Sequence, residues 1–374
     1  MRNRSEKGEL KVRIALLIPG NVAGGAERVL TSLANQFIEL NIDTWFIQFD
    51  TDSDFYNISD NVHKVALQIE AGGKKGFHKW MLFPRYFFSL KKVLRQVQPD
   101  VIISFLFITN VVGIICCKLL GIPIIISERN DPNQYIKKQK LVMNLLYPFV
   151  DGFVCQSDVV KDIIYHKYKI KNATVIANPS NDSQVGVYQI DKKDLIIAVG
   201  RLVPQKNFSF LIDCFAEIAE EYPTYKLVIY GDGPLRNDLE DQIRYYGLNE
   251  RIKLPGTIKD AIRINNNARI FVLSSKFEGY PNVLVEAMSN GLVCIASDVA
   301  SGTVRQLIEH GVNGFIYPVD DKKNLVKLFR YTMESKNELN DISMNAKKIY
   351  NRLSIEKITN EWIVYIENCL DKSF

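Results

Sequence analysis

Four charged side chains carry the chemistry that this 374-residue sequence suggests: Arg201 with Lys206, and Glu278 with Glu286. The glutamates lie in FEGYPNVLVEAMSNG, Phe277 to Gly291, behind an apolar run, Ile270 to Leu273, that ends at Ser274 and Ser275. Pro281 opens a predicted helix carrying Val283, Leu284, Val285, Ala287 and Met288, since a first helical turn has no use for the missing N–H. The pattern predicts a strand, a tight turn through Gly279, Tyr280, Pro281 and Asn282, and a helix, with Glu278 before the helix N-terminus and Glu286 about a turn inside. Both carboxylates then face one crevice at the C-terminal edge of a parallel sheet, where open α/β sheets bind ligands. Free N–H groups in the turn and the positive helix end suit a diphosphate, while the carboxylates suit the neutral hydroxyls of a ribose and a sugar beside it. That combination describes a nucleotide-sugar. Two glutamates at this spacing also fit a solvated helix face; the surrounding phenylalanine, glycine, proline and alanine point toward chemistry.

Arg201 and Lys206 fall in GRLVPQKN, a turn between the strand Leu195 to Val199 and the helix Phe208 to Tyr222. A guanidinium fork and an ammonium point charge are what a diphosphate leaving group needs. When a sugar C1–O bond breaks, negative charge grows on the departing phosphate, and fixed cations stabilise that state more than the ground state. Neither a metal nor a further cofactor is then required. The plainer reading is two surface cations in a loop.

These groups need elements to hold them, and the chain alternates strand and helix throughout. Val12 to Ile18, the glycines Gly24 and Gly25, and a helix from Ala26 to Leu40 form a first βα unit, although without a full GxGxxG. The next strand, Thr44 to Phe49, runs into Asp50-Thr51-Asp52-Ser53-Asp54. As a calcium loop this cluster fails, because Phe55 replaces the required glycine and Asn61 stands at the bidentate position. A solvated loop is expected, with a metal-dependent transfer through Asp50 and Asp52 as the rival. Pro99 to Ser104, Ile122 to Ser127 and Gly152 to Ser157 read as buried strands, the second delivering Glu128, Arg129 and Asn130 at its C-terminal end, where substrate-facing groups belong. Asp158 to Tyr168 reads as a helix, and the polar stretch 181–194 as a linker. A second α/β domain, 195–350, follows, and residues 351–374 supply a helix long enough to pack back on the first domain, 1–180.

Composition sets the class. With 47% hydrophobic and 24% charged residues the chain is an ordinary globular protein, and a net charge of +5 is too small for a nucleic-acid footprint while favouring anionic ligands and lipid surfaces. Cys116, Cys117, Cys155, Cys214, Cys294 and Cys369 show no CxxC pair and read as reduced core thiols of a cytoplasmic protein. The stretch Val101 to Ile126 is interrupted by Asn110, Lys118, Gly121 and Pro123, so it is not a spanning helix. Lys74 to Lys92 mixes cations with aromatics; it either packs its rings on the domain or lies in a membrane interface, with Pro84 interrupting the helical stripe.

The segments GGAER (Gly24 to Arg28), GRLVPQKN, GDGPLRNDLE (Gly231 to Glu240) and FEGYPNVLVEAMSNG, in this order, resemble those of family 4 glycosyltransferases, retaining enzymes of the GT-B fold. The resemblance covers most of the chain and implies two Rossmann-like domains of doubly wound parallel sheet facing a deep cleft, acceptor on the first and donor on the second. It implies that Gly25 lies near the donor phosphate, that Arg201 and Lys206 hold the diphosphate, that Glu278 is near the transferred sugar, and that Glu286 binds ribose. Within the family the chain looks closest to bacterial surface-polysaccharide and lipid-linked-oligosaccharide enzymes, the N-acetylgalactosaminyltransferase of bacterial N-glycosylation among them. Such enzymes take UDP-sugars and polyprenyl-diphosphate-linked acceptors at the inner face of the cell membrane, so peripheral attachment to an anionic surface is expected. Some relatives carry a histidine where this chain has Arg129, which leaves Glu128, Arg129 and Asn130 as candidate sugar or acceptor contacts. A UDP-sugar 2-epimerase of similar fold is the alternative, and a catalytically silent binding subunit the remaining one.

Overall fold

Apolar runs of four to six residues, bounded by glycine, proline and polar turns, form strands buried on both faces, as parallel sheets require. The computed structural model describes residues 12–22, 24–50, 55–69, 82–129, 135–180, 192–335 and 338–371. The chain divides into two units, one reaching Pro179 and reclaiming the chain from Ile355, the other running from Ser180 to Ser354.

The first unit contains strands β1 (Arg13–Ile18), β2 (Asp43–Gln48), β3 (His63–Ala66), β4 (Val101–Phe105), β5 (Ile124–Ser127), β6 (Gly152–Cys155) and β7 (Ala173–Val175). Its helices are α1 (Gly25–Glu39), α2 (Phe83–Val97), α3 (Phe107–Leu120), α4 (Lys137–Leu146) and α5 (Asp158–Tyr168). The sheet order is β3-β2-β1-β4-β5-β6-β7, all parallel, with Ile14 of β1 facing Val101 of β4. The strand order therefore reverses between β1 and β4, and ligands of open sheets bind at such a reversal. The C-terminal helix, Ile355–Asp371, belongs to this unit: Tyr365 receives the Phe153 N–H at 2.9 Å and donates to the Asn172 carbonyl at 2.7 Å, while the buried Trp362 lies tilted against Phe105.

The second unit repeats the plan with β8 (Lys193–Val199), β9 (Lys226–Tyr230), β10 (Ile252–Gly256), β11 (Ala268–Leu273), β12 (Val293–Ser297) and β13 (Phe315–Tyr317) in the order β10-β9-β8-β11-β12-β13. Its first helices are α6 (Phe208–Ile218), α7 (Arg236–Tyr245), α8 (Ala261–Ile264) and α9 (Asn282–Ser289). Here the reversal lies between β8 and β11. Ile196, Leu227, Ile270, Ile295 and Phe215 form the centre of its core.

Several expectations shift. Pro84 sits in the first turn of α2 and starts the helix that the sequence had it interrupt, because its fixed φ and missing N–H suit that position. The strand β3 and the helix α4 are elements that periodicity did not expose. Pro281 caps α9 from outside; the helix begins at Asn282. Asp52, residues 74–81 of the aromatic stretch, Asn130 and linker residues 181–191 lie outside the described residues. All six cysteines are free and buried, and burial pushes the Cys116, Cys155 and Cys214 thiols up to about 12. Among the described residues no helix is long and apolar enough to cross a membrane.

Candidate active site

At the reversal point of the second sheet, two loops are laced together. Where β8 ends, Gly200 N–H bonds the Tyr230 carbonyl and Leu202 N–H bonds the Asp232 carbonyl, both at 2.9 Å, so the turns after β8 and β9 lie backbone against backbone. Gly231, at φ +142°, makes that approach possible: a Cβ there would stand 1.9 Å from the Gly200 carbonyl oxygen. From this base Pro204–Lys206 winds into a single 3₁₀ turn, closed by Lys206 N–H on the Val203 carbonyl at 3.0 Å.

The loop after β11 fastens to that turn through three further bonds. Lys276 N–H donates to the Gln205 carbonyl at 2.8 Å, Gln205 Nε2 to the Phe277 carbonyl at 2.9 Å, and Ser274 Oγ to the Lys206 carbonyl at 2.8 Å. These bonds bring two opposite charges together: Lys206 Nζ lies 2.5 Å from Glu278 Oε1, with side chains only 16% and 8% exposed. Ser275 Oγ donates to the same oxygen at 2.6 Å, and Ser297 Oγ at the end of β12 holds the Ser275 carbonyl at 2.6 Å. Glu278 Oε2 receives no bond from any described residue. Arg201, in the same turn as Lys206, is exposed and has no ion pair or side-chain hydrogen bond with any described residue. Tyr280 and Pro281 are buried, Gly279 and Asn282 partly so, and Glu286 occupies the second turn of α9, partly buried.

Ser275, Gln205 and Ser297 are the residues that sequence reasoning missed. A polar pair closing an apolar strand, with Ser275 three positions before Glu278, was the available signal.

The first unit meets the expectations less evenly. Gly24 caps α1 in an extended conformation, and Glu27 folds back over it, so that a Cβ at Gly24 would lie 2.1 Å from Glu27 Oε2. Burial raises the Glu27 pKa, with its own backbone N–H opposing. The Gly24-Gly25 turn thus makes room for an internal carboxylate at the positive end of α1. Glu128 departs from the expected role as a sugar or acceptor contact. It is fully buried, and its carboxylate is occupied by Asn110 Nδ2 at 2.8 Å and by the hydroxyls of Tyr135 and Tyr147. It braces the ends of β5 and α3 because a buried carboxylate must be bonded wherever donors exist. Burial raises its pKa most; bonds from Tyr135, Tyr147 and Asn110 and the Arg129 charge pull it back. Arg129 bonds Asn178 through Nη1 and lays its guanidinium 3.8 Å from the Phe105 ring centre. Beside it Leu106 opens α3 at φ +74°, a strained setting for a branched side chain, at the reversal point of the first sheet. Asp50 packs over the Gly20 turn, its N–H on the Pro19 carbonyl at 2.8 Å.

Comparison with known proteins bears on the family. The family model described as glycosyltransferase family 4 matches residues 23–184, and that of the group 1 glycosyl transferases matches residues 181–349. The chain is 28% identical over 360 residues, 95% of its length and 98% of the relative's, to GalNAc-alpha-(1->4)-GalNAc-alpha-(1->3)-diNAcBac-PP-undecaprenol alpha-1,4-N-acetyl-D-galactosaminyltransferase of Campylobacter jejuni. It is also 28% identical, over 72% of its length and 75% of the relative's, to the Escherichia coli UDP-Gal:alpha-D-GlcNAc-diphosphoundecaprenol alpha-1,3-galactosyltransferase. Among solved structures, Anabaena HepE in complex with UDP superposes with a TM-score of 0.79 at 20% identity, covering 95% of this chain and 100% of that one. With two doubly wound sheets of the GT-B fold and family matches that run in succession from residue 23 to residue 349, the chain belongs to the family 4 glycosyltransferases.

Proposed function

We propose that this glycosyltransferase moves a hexose or N-acetylhexosamine from a UDP-sugar, such as UDP-GalNAc, to a glycan carried on a polyprenyl diphosphate, with retention of configuration and without a metal. The observation that carries the reading is the shielded Lys206–Glu278 pair at the reversal of the second sheet, with Arg201 unpaired among the described residues in the same turn. Lys206 gives one N–H to Glu278 and keeps two for phosphate oxygens. Arg201 adds a fork of donors, and the positive end of α9 adds its field. Glu278 is anchored through Oε1 by Ser275 and Lys206, which leaves Oε2 to accept from a hydroxyl of the sugar. Glu286, a turn into α9, takes the ribose.

In the reaction the C1–O bond to the diphosphate breaks and a bond from C1 to the acceptor oxygen forms on the same face. The acceptor's proton passes to the departing phosphate oxygen, so no separate base is needed. Charge grows on that oxygen, and Arg201 and Lys206 are already set to meet it. The two relatives above support a lipid-linked acceptor, since both act on undecaprenol-diphosphate glycans. Such an acceptor puts the enzyme at the inner membrane face of a bacterium, and Arg129 with Asn130 is assigned to acceptor contacts.

Thermal-shift screening of UDP-, GDP- and ADP-sugars, followed by NMR of the product, tests the reading. A UDP-sugar at a hundred times its Kd should stabilise the protein by about 2.7 kcal/mol, and the product should keep the donor's anomeric configuration in the presence of EDTA. Stabilisation by GDP- or ADP-sugars alone, an inverted product, or loss of transfer with EDTA would each contradict it.

A further inference from the structure

The ring of Phe105, the last residue of β4, is fully buried and meets side chains from two other segments. Over it lies the guanidinium of Arg129, 3.8 Å from the ring centre. Trp362 of the C-terminal helix also lies against it, with ring centres 5.9 Å and planes 36° apart. A cation over a desolvated aromatic face is held by the ring's quadrupole, and the contact uses none of the five guanidinium N–H donors. Arg129 Nη1 donates to Asn178, beyond β7. The ends of β4, β5 and β7 and the C-terminal helix therefore converge on one charge.

Phe105 is fixed through its own backbone. The next residue, Leu106, stands at φ +74°, with its N–H on the Ser127 carbonyl at 3.2 Å and its carbonyl under the Thr109 hydroxyl at 2.9 Å. Thr109 reaches the Phe105 carbonyl as well. Strain of this kind persists only where the surroundings over-determine the conformation, and it gathers where a side chain must be aimed.

Trp362 is a costly choice for filling space. Its side chain is wholly buried, yet the indole N–H has no partner among the described residues, and the Thr359 hydroxyl one turn earlier is in the same state. A buried indole usually bonds its N–H, and leaving it unbonded is unfavourable. The buried face of this helix also carries Ile358, Tyr365, Ile366 and Cys369, and leucine or phenylalanine at 362 would pack among them without that cost. Core packing alone does not explain the indole; its contact with Phe105 does.

We propose that Phe105 and Trp362 are positioning residues for acceptor binding: together they hold the Arg129 guanidinium at the reversal point of the first sheet, in the orientation that meets the acceptor. The inference rests on the assignment of Arg129 to the acceptor. It makes the C-terminal helix, which the chain adds after completing the second unit, part of the first unit's ligand site.

Two measurements on the full chain test it. Phenylglyoxal labelling, read at Arg129 by peptide mass spectrometry, reports how firmly the guanidinium is held; Phe105→Leu and Trp362→Leu should each label several-fold faster than wild type. Steady-state kinetics with UDP-GalNAc and a short-chain polyprenyl diphosphate carrying N-acetylgalactosamine reports the consequence. Acceptor KM should rise by up to about thirtyfold in Phe105→Leu and by about two- to tenfold in Trp362→Leu, with donor KM and kcat unchanged. Trp362→Phe, which keeps a ring against Phe105, should restore both readings most of the way. In an Arg129→Ala background neither leucine variant should raise acceptor KM further. Labelling at the same rate in wild type and both leucine variants overturns the proposal. So does a rise in acceptor KM that persists in full without Arg129, since the rings would then act only on the fold. Faster labelling, with an acceptor KM that even Arg129→Ala leaves unchanged, would keep the rings as the support of Arg129 but remove Arg129 from the acceptor, and the positioning role with it.

Discussion

Replacing Lys206 by methionine should separate what this lysine does for the fold from what it does for the reaction. The pair it forms with Glu278 is 2.5 Å long and largely shielded, so its gross attraction, about 7 kcal/mol at an effective dielectric near 20, is mostly cancelled by desolvation of the two ions. Lys206→Met alone leaves the Glu278 carboxylate with only Ser275 as donor. Stranding one partner of a fully buried pair costs about 3–5 kcal/mol; with Lys206 still 16% exposed, about 2–3 kcal/mol is the expected loss. In a unit of this size that lowers the Tm by roughly 5–10 °C, read by calorimetry on the unit's own transition. Adding Glu278→Gln removes the stranded charge, so the double variant should recover to within about 1 kcal/mol of wild type. Turnover should behave differently. Loss of a donor aimed at developing charge costs about 10²–10³ in kcat, and the double variant should stay at or below that level because both groups serve the donor sugar. Steady-state kinetics at saturating donor reads this. A stable double variant with kcat within about tenfold of wild type would show the pair to be structural and refute the mechanism.

Glu278→Ala should abolish transfer, and a variant with wild-type turnover in the same assay would remove Glu278 from the site. Gly231→Ala should destabilise the second unit by about 3 kcal/mol or more, because its Cβ would overlap the Gly200 carbonyl oxygen; an unchanged melting transition would show that the two turns are not in contact. Glu128 gives a pH effect of definite sign. With its pKa raised by burial, the folded unit holds that proton more tightly than the unfolded chain, so the contribution is present below about pH 4.3 and lost as pH rises through the raised value. Tm measured from pH 4 to 7 should therefore fall less with rising pH in Glu128→Gln than in wild type, and identical slopes would contradict the assignment.

The second unit was legible because its function and its fold use the same signals. The apolar strands Lys193–Val199 and Ala268–Leu273 end in glycine- and serine-bearing turns, and those turns carry Arg201, Lys206 and Glu278 to one reversal point. What remained hidden there was the lacing. Whether Gln205 reaches the Phe277 carbonyl, or Ser274 the Lys206 carbonyl, depends on two loops about 70 residues apart in sequence, which no local pattern encodes. In the first unit the local reading of Glu128 misled. A charged residue at a strand end is usually a surface or ligand-facing group, yet here Asn110, Tyr135 and Tyr147 arrive from three other segments and make burial affordable. The helix α4 escaped notice because it is apolar on two sides, with Met143 buried and Leu141 and Leu145 exposed, which blurs the periodicity that marks an amphipathic helix.

Calorimetric titration of uridine, UMP and UDP into wild type and into Arg201→Ala and Lys206→Ala tests the central claim most directly. If the cations grip a diphosphate, affinity should climb from UMP to UDP in the wild type, and each variant should lose most of that climb while binding uridine as before. A climb of the same size in all three proteins would contradict the account.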